Sequence, residues 1–180
     1  PRVMTTCEKV NKLLTKAYSS DSLAWPKDKM KYRAIIWSCP PHFYANFSNW
    51  LANCWGIDVL VEMESLNFTK PLETEDKEEA LRDLARLYER MVMRRHTNGG
   101  YRNVVDELWH QCEAWNANFV IMYQHVACKN MATVQGILDE QGRERGLHMI
   151  WVEHDLMDPR TVSRSSMRAK VTEYMRTVIG

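Results

Sequence analysis

The sequence predicts an α/β fold, a doubly wound parallel sheet of about four strands in the order 2-1-3-4. Two observations carry the expectation. Short apolar runs bounded by turn residues recur along the chain, and the segments between them place apolar residues three and four apart, the spacing of a helix face. Strands separated by helices require right-handed crossovers, and a parallel sheet with helices on both faces is the economical result.

Residues 1–30 read as a helical lead-in arm, and residues 31–180 as the α/β domain. In the arm, a helix from about Cys7 to Tyr18 carries Val10, Leu13, Leu14 and Ala17 on one stripe. A polar stretch and Pro26 follow it. The first strand is Ala34 to Ser38, stopped by Cys39-Pro40-Pro41 because proline cannot continue a ladder. Phe43, Phe47, Trp50, Leu51 and Cys54 mark a helix from about Phe43 to Cys54, closed by Gly56. The second strand is Val59 to Val61.

After a linker from Leu66 to Thr74, Glu75 and Asp76 open a long helix that runs to Arg94 and Arg95. Its apolar face is Ala80, Leu81, Leu84, Leu87, Tyr88, Met91 and Val92. Asn98-Gly99-Gly100 breaks the chain, and a second helix sends Val104, Val105, Leu108, Trp109, Cys112 and Trp115 inward. The third strand is Phe119 to Tyr123, the next helix Met131 to Leu138, and the fourth strand His148 to Val152. Asp158-Pro159 introduces the last helix, with a stripe of Met167, Val171, Tyr174 and Val178.

Composition narrows the function. An apolar content of 45% supports a real core, while 24 basic against 23 acidic side chains advertise neither nucleic acid nor membrane. No stretch approaches the roughly 20 apolar residues that span a bilayer, and no secretory signal is present, so the expected compartment is the cytoplasm. The five cysteines, at 7, 39, 54, 112 and 128, form no CxxC pair, which excludes a self-contained zinc or ferredoxin site. Pro1 in place of an initiator Met suggests a fragment or a processed chain.

In a doubly wound sheet, chemistry gathers in the loops beyond the carboxyl ends of the strands, near the point where strand order reverses. Those loops start at Cys39, Glu62, Gln124 and Glu153. Gln124-His125-Val126-Ala127-Cys128-Lys129 brings a thiol to a helix amino terminus, where the dipole and free amides favour thiolate. The alternative is a thiol that merely packs at the strand-to-helix turn. Cys39 and His42 can form a nucleophilic pair, or only a stiffened turn beside a surface histidine. Glu62 and Glu64 stand near the crevice or in solvent.

Cys54 and Cys112 fall on apolar helix faces and read as core. His96 and His110 lack companions at metal-ligand spacing and read as structural or solvated. Asn98-Gly99-Gly100 reads as a turn between helices. Glu153, His154, Asp155 and Asp158 read as an acidic turn that caps the last helix.

Three segments resemble the carboxy-terminal part of the 2-hydroxyacyl-CoA dehydratase family, which includes the benzoyl-CoA reductase subunits. They are Phe119–Lys129 with its strand, polar loop and Cys-Lys step, Trp151–Arg160 with its E-x-D-x-x-D-x-R pattern, and the helix Met167–Val178. Weaker likeness extends back to about Lys31. The terminal helix departs from the family pattern, with Tyr174-Met175 where the family has Phe-Glu.

The resemblance implies that Cys128 ligates a four-iron, four-sulfur cluster shared with cysteines absent from this chain. It implies elimination of water from a 2-hydroxyacyl-CoA by way of a thioester ketyl radical, after one electron from an ATP-hydrolysing iron–sulfur activator. Implied partners are upstream domains of the same subunit, a second homologous subunit, the activator and the acyl-CoA. Cys39, His42, Glu62 and His125 are then candidates for substrate contact, and the chain alone is expected to be inactive. Aromatic ring reduction by a benzoyl-CoA reductase type enzyme is the close alternative. A noncatalytic flavodoxin-like three-layer module, used for binding or scaffolding, is the alternative of a different class.

Overall fold

Strands buried on both faces draw nearly every residue from the apolar set, and two such runs form the centre of the four-stranded sheet in the computed structural model, which describes residues 30–66, 72 and 75–180. The arm helix expected at Cys7 to Tyr18, and most of the linker before the long helix, lie outside the described residues. The strands are β1 (Tyr32–Trp37), β2 (Ile57–Glu62), β3 (Phe119–His125) and β4 (His148–His154). The helices are α1 (Phe47–Trp55), α2 (Lys77–Arg90), α3 (Val92–Asn98), α4 (Tyr101–Ala114), α5 (Lys129–Glu144) and α6 (Arg164–Tyr174). A 3₁₀ turn, Met63–Leu66, follows β2, and a π turn, Met175–Ile179, extends α6.

The sheet is parallel throughout in the order β2-β1-β3-β4, as the sequence predicts. Side chains alternate across it with period two. Ile35, Trp37, Val120 and Met122 face a core closed by Val92 of α3, Val105, Leu108, Trp109 and Cys112 of α4, and Val134 and Leu138 of α5. Ala34, Ile36, Phe119, Ile121 and Tyr123 face a second core closed by Phe47 and Leu51 of α1 and by Met167 and Val171 of α6. This gives the three layers.

One irregularity decides where the site forms. Ala34 pairs with Val59 but Ile35 pairs with Val61, so Leu60 is an extra residue, a bulge in β2. Past a bulge the alternation changes phase. Val61 joins the first core although two residues earlier Val59 packs on the second, and Glu62 is thereby turned to the second face, where Ser48 Oγ donates to its carboxylate at 3.1 Å.

Several expectations are corrected. The long helix is broken at Met91, whose ψ of 138° is extended, and α2 buries none of its side chains. Leu81, Leu84 and Tyr88 are 53%, 46% and 65% exposed, so the part of the stripe on α2 is an outer face, while its last residue, Val92, is buried in the first core as expected. Its hold is local: Asp76 caps it by accepting from the Glu79 N–H at 2.8 Å, worth about 1 kcal/mol. Exposed Arg82–Glu79 and Arg86–Asp83 pairs at 3.0 Å contribute a few tenths each, about 0.3–0.5 kcal/mol.

Cys54 is exposed, whereas Cys112 is buried as expected. In the last helix the stripe continues through Met175 rather than Val178, which is 57% exposed. The wider π turn carries the next inward position on to Ile179, which packs against the second core. Helix α6 is capped by Ser163, whose hydroxyl accepts from Ser166 N–H, and not by the acidic turn. Among the described residues no helix is long and apolar enough to cross a membrane.

Candidate functional site

Strand order reverses between β1 and β3, and the loops that leave their carboxyl ends diverge around a cleft of about 550 Å³ on the face covered by α3, α4 and α5. The loop after β1 begins at Ser38, a non-glycine residue at φ 77°. That conformation costs on the order of 1 kcal/mol or more, and it bends the chain so that Cys39 follows into the cleft lining. Pro40 and Pro41 then hold the turn.

The loop after β3 is fixed by three hydrogen bonds. Val126 N–H donates to the His154 carbonyl at 3.0 Å, and Cys128 N–H to the His125 carbonyl at 2.8 Å. Ala127 N–H donates to His125 Nδ1 at 3.1 Å, which assigns the proton of the neutral ring to Nε2. Cys128 is the N-cap residue of α5, in extended conformation, and its side chain makes no capping bond. Its thiol is therefore unclaimed by the helix and half-buried on the cleft.

Of the residues named from sequence as cluster or substrate candidates, Cys39, His125 and Cys128 line this cleft. Glu62 does not, because the β2 bulge turns it toward Ser48. His42 is exposed and outside the lining, its backbone N–H donating to the Leu156 carbonyl in the loop after β4 at 2.9 Å. The Cys39 thiol donates to Met93 Sδ at 3.8 Å, and burial first, then the Glu64 carboxylate and Cys128, push its pKa up. Resting Cys39 is a protonated thiol.

The first wall of the cleft also holds a pair that sequence spacing did not disclose. His96 lines the cleft from α3, and its Nε2 meets Glu107 Oε2 of α4 at 2.7 Å. The other Glu107 oxygen accepts from Arg95, and the imidazole packs over Trp37 with ring centroids 5.6 Å apart. A carboxylate behind an imidazole fixes its orientation and supports a charge on it, which is the arrangement general acid–base chemistry uses. Trp37, at the floor, keeps a buried indole N–H without an acceptor.

His154, expected in an acidic turn, is instead the last residue of β4 and is fully buried, with its ring between those of Tyr123 and His125. Neither ring nitrogen has a partner. Burial lowers its pKa, with the nearby His125 acting in the same direction. Asp155 makes the turn itself by accepting from the N–H groups of Met157 and Asp158, both at 2.9 Å.

Among the described residues no three His, Cys, Asp or Glu side chains stand close enough to hold a metal by themselves. The cleft can present one or two thiols to a group whose remaining ligands come from elsewhere. A family model described as 2-hydroxyglutaryl-CoA dehydratase, D-component, matches residues 3–177. No curated protein matches the chain.

Proposed function

Because the chain belongs to the 2-hydroxyglutaryl-CoA dehydratase D-component family, we propose that its switch-point cleft forms one wall of a cytoplasmic 2-hydroxyacyl-CoA dehydratase active site. Cys128 supplies one thiolate there to a four-iron, four-sulfur cluster. The observation that carries the reading is the Cys128 thiol, half-buried on the cleft and free of any capping bond.

The donor set fits one corner of such a cluster. Cys128 offers sulfur, the ligand these clusters take, and the cleft of about 550 Å³ leaves room beside it. On this reading the other cysteine ligands come from further domains of the subunit, in keeping with the lack of a three-donor group among the described residues. When bound, the cluster supplies one-electron chemistry, charged by an ATP-dependent activator, and a second homologous subunit completes the enzyme.

The chain's own residues do the rest. Loss of water from a 2-hydroxyacyl thioester requires a proton to leave carbon and another to reach the departing hydroxyl. His96, held by Glu107, is the group on this wall built to hold or pass a proton at a ring nitrogen. His125, with its proton on Nε2, is a donor beside it on the lining. Met63, Met131 and Val134 make the surrounding wall apolar, which excludes water from a reactive acyl group.

The test is anaerobic iron–sulfur reconstitution of the natural full-length subunit beside its Cys128→Ala form, read by visible absorbance and iron content. Loss of bound iron on substitution supports the assignment. Equal iron in both, or none in either, removes it and leaves a noncatalytic binding module as the better account.

A further inference from the structure

The cleft is apolar on every side and carries no fixed positive charge. Met63 reaches it from the turn after β2, Met93 from α3, Val104 from α4, Met131 and Val134 from α5, and Leu156 from the loop after β4. Among the described residues, none that lines it is a Lys or an Arg. Lys129 and Arg102, the chain neighbours of Cys128 and Tyr101, are exposed and outside the lining. Arg95 is committed to Glu107 and to the Arg90 carbonyl.

The two imidazoles do not replace the missing cation. His96 has its Nε2 on Glu107 at 2.7 Å, and His125 accepts the Ala127 N–H on Nδ1, which keeps that ring neutral. The Glu64 carboxylate, which bonds the Cys39 thiol, adds negative charge on that side of the cleft.

We propose that the cleft takes the acyl chain of a 2-hydroxyacyl thioester whose far end is neutral and apolar, and disfavours a dicarboxylic chain such as 2-hydroxyglutaryl. The inference rests on the dehydratase reading and narrows it, since the family description itself names the dicarboxylic substrate.

Desolvation decides the sign. A carboxylate carried against an apolar wall gives up its hydration, and with no cation to meet it the loss is uncompensated. An alkyl or aryl end gains from the same wall, because burying apolar surface is favourable in proportion to its area. Three methionines suit ends of differing shape, since an unbranched thioether chain adapts by rotation. The volume of about 550 Å³ lies in the usual range for small-molecule sites, about 300–1,000 Å³.

The test compares two thioesters alike in shape, using the natural full-length subunit reconstituted with its partner subunit and activator. One is 2-hydroxyglutaryl-CoA. The other is 2-hydroxy-5-methylhexanoyl-CoA, in which an isopropyl group replaces the carboxylate. The neutral thioester is expected to win in kcat/KM on the order of a hundredfold or more. Equal use, or a preference for 2-hydroxyglutaryl-CoA, overturns the inference and leaves the dehydratase reading standing. Met131→Lys puts a cation on the wall at a half-buried position and should pull the ratio back toward the dicarboxylic thioester by about tenfold. An unmoved ratio takes the acyl chain off this wall and sinks the idea.

A binding measurement needs neither cluster nor turnover. In the 180-residue chain labelled with carbon-13 at the methionine methyls, S-(5-methylhexanoyl)-N-acetylcysteamine should shift the Met63 and Met131 signals. It should do so at concentrations at least about tenfold below those that S-glutaryl-N-acetylcysteamine requires. An equal response to the two probes, or none to the neutral one, overturns the inference. A neutral preference here without turnover of either CoA thioester removes the dehydratase reading and keeps the apolar selectivity, so the two failures are distinct.

Discussion

His96 Nε2 and Glu107 Oε2, eleven residues apart on two short helices, meet at 2.7 Å on the wall of the switch-point cleft. The Gly99-Gly100 break allows it: Gly100 sits at φ 73°, and α4 starts in a new direction from there. Arg95 takes the other Glu107 oxygen, so the carboxylate is anchored at both ends of its bite.

Replacing that carboxylate tests its role. Glu107→Gln keeps the shape but removes the charge behind the ring. In the reconstituted full-length enzyme, kcat should fall on the order of a hundredfold, with His96→Gln falling at least as far. A fall in kcat for Glu107→Gln that His96→Gln does not share would make Glu107 a structural anchor only.

The thiols should separate by reactivity. Cys54 is exposed, Cys39 is half-buried with a raised pKa, and burial pushes Cys112 up to about 12. Iodoacetamide at pH 8 should label Cys54 first and Cys39 at least about tenfold more slowly, and leave Cys112 unmodified until the chain unfolds. Site-resolved mass spectrometry reads the order. Early labelling of Cys112 would contradict its place among Leu108, Trp109 and Leu138 in the first core.

Much of this fold was legible because buried parallel strands leave a continuous apolar signature. Ala34–Trp37 and Phe119–Tyr123 read directly, and with them the loops that carry Cys39 and Cys128. Glu62 was misplaced because register is a property of a pair of strands: the extra Leu60 is visible only against Ala34 and Ile35. The Leu81, Leu84 and Tyr88 stripe has the right period for a core face, yet periodicity reports amphipathic shape and not what covers it. His96 and Glu107 were missed for a third reason. Contacts across a helix-to-helix turn depend on the angle of the turn, which Gly99 and Gly100 leave open.

Two glycines of α5 predict opposite outcomes for the same change. A Cβ at Gly136 meets nothing within 4 Å, so Gly136→Ala should stabilise by up to about 1 kcal/mol through helix propensity. A Cβ at Gly142 would lie 2.1 Å from Met149 Sδ and 2.9 Å from its Cγ, against β4. Met149 must give way there, and overpacking of about 1–3 kcal/mol outweighs the propensity gain. Urea unfolding should show the midpoint rising for the first and falling for the second, and a rise for both would mean Met149 has room to move.

The buried His154 gives the fold a pH dependence with a definite sign. Its ring is fully buried between Tyr123 and His125, its nitrogens lack partners, and burial lowers its pKa in the folded state. The unfolded chain holds a histidine near the ordinary value of about 6.5, so below that pH it binds the proton that the folded protein refuses. Stability from this group is therefore complete above about 6.5 and declines as pH falls from there toward the lowered folded value, at up to about 1.4 kcal/mol per pH unit. Other groups contribute to the same pH dependence, so the useful quantity is a difference. Wild type and His154→Leu should be compared by urea unfolding at pH 7.5 and pH 5.5. The variant should lose less stability than wild type across that interval, because it has no proton to take up on unfolding. Equal losses in the two proteins would show that His154 finds a proton acceptor in the folded state, and would remove its lowered pKa from the account.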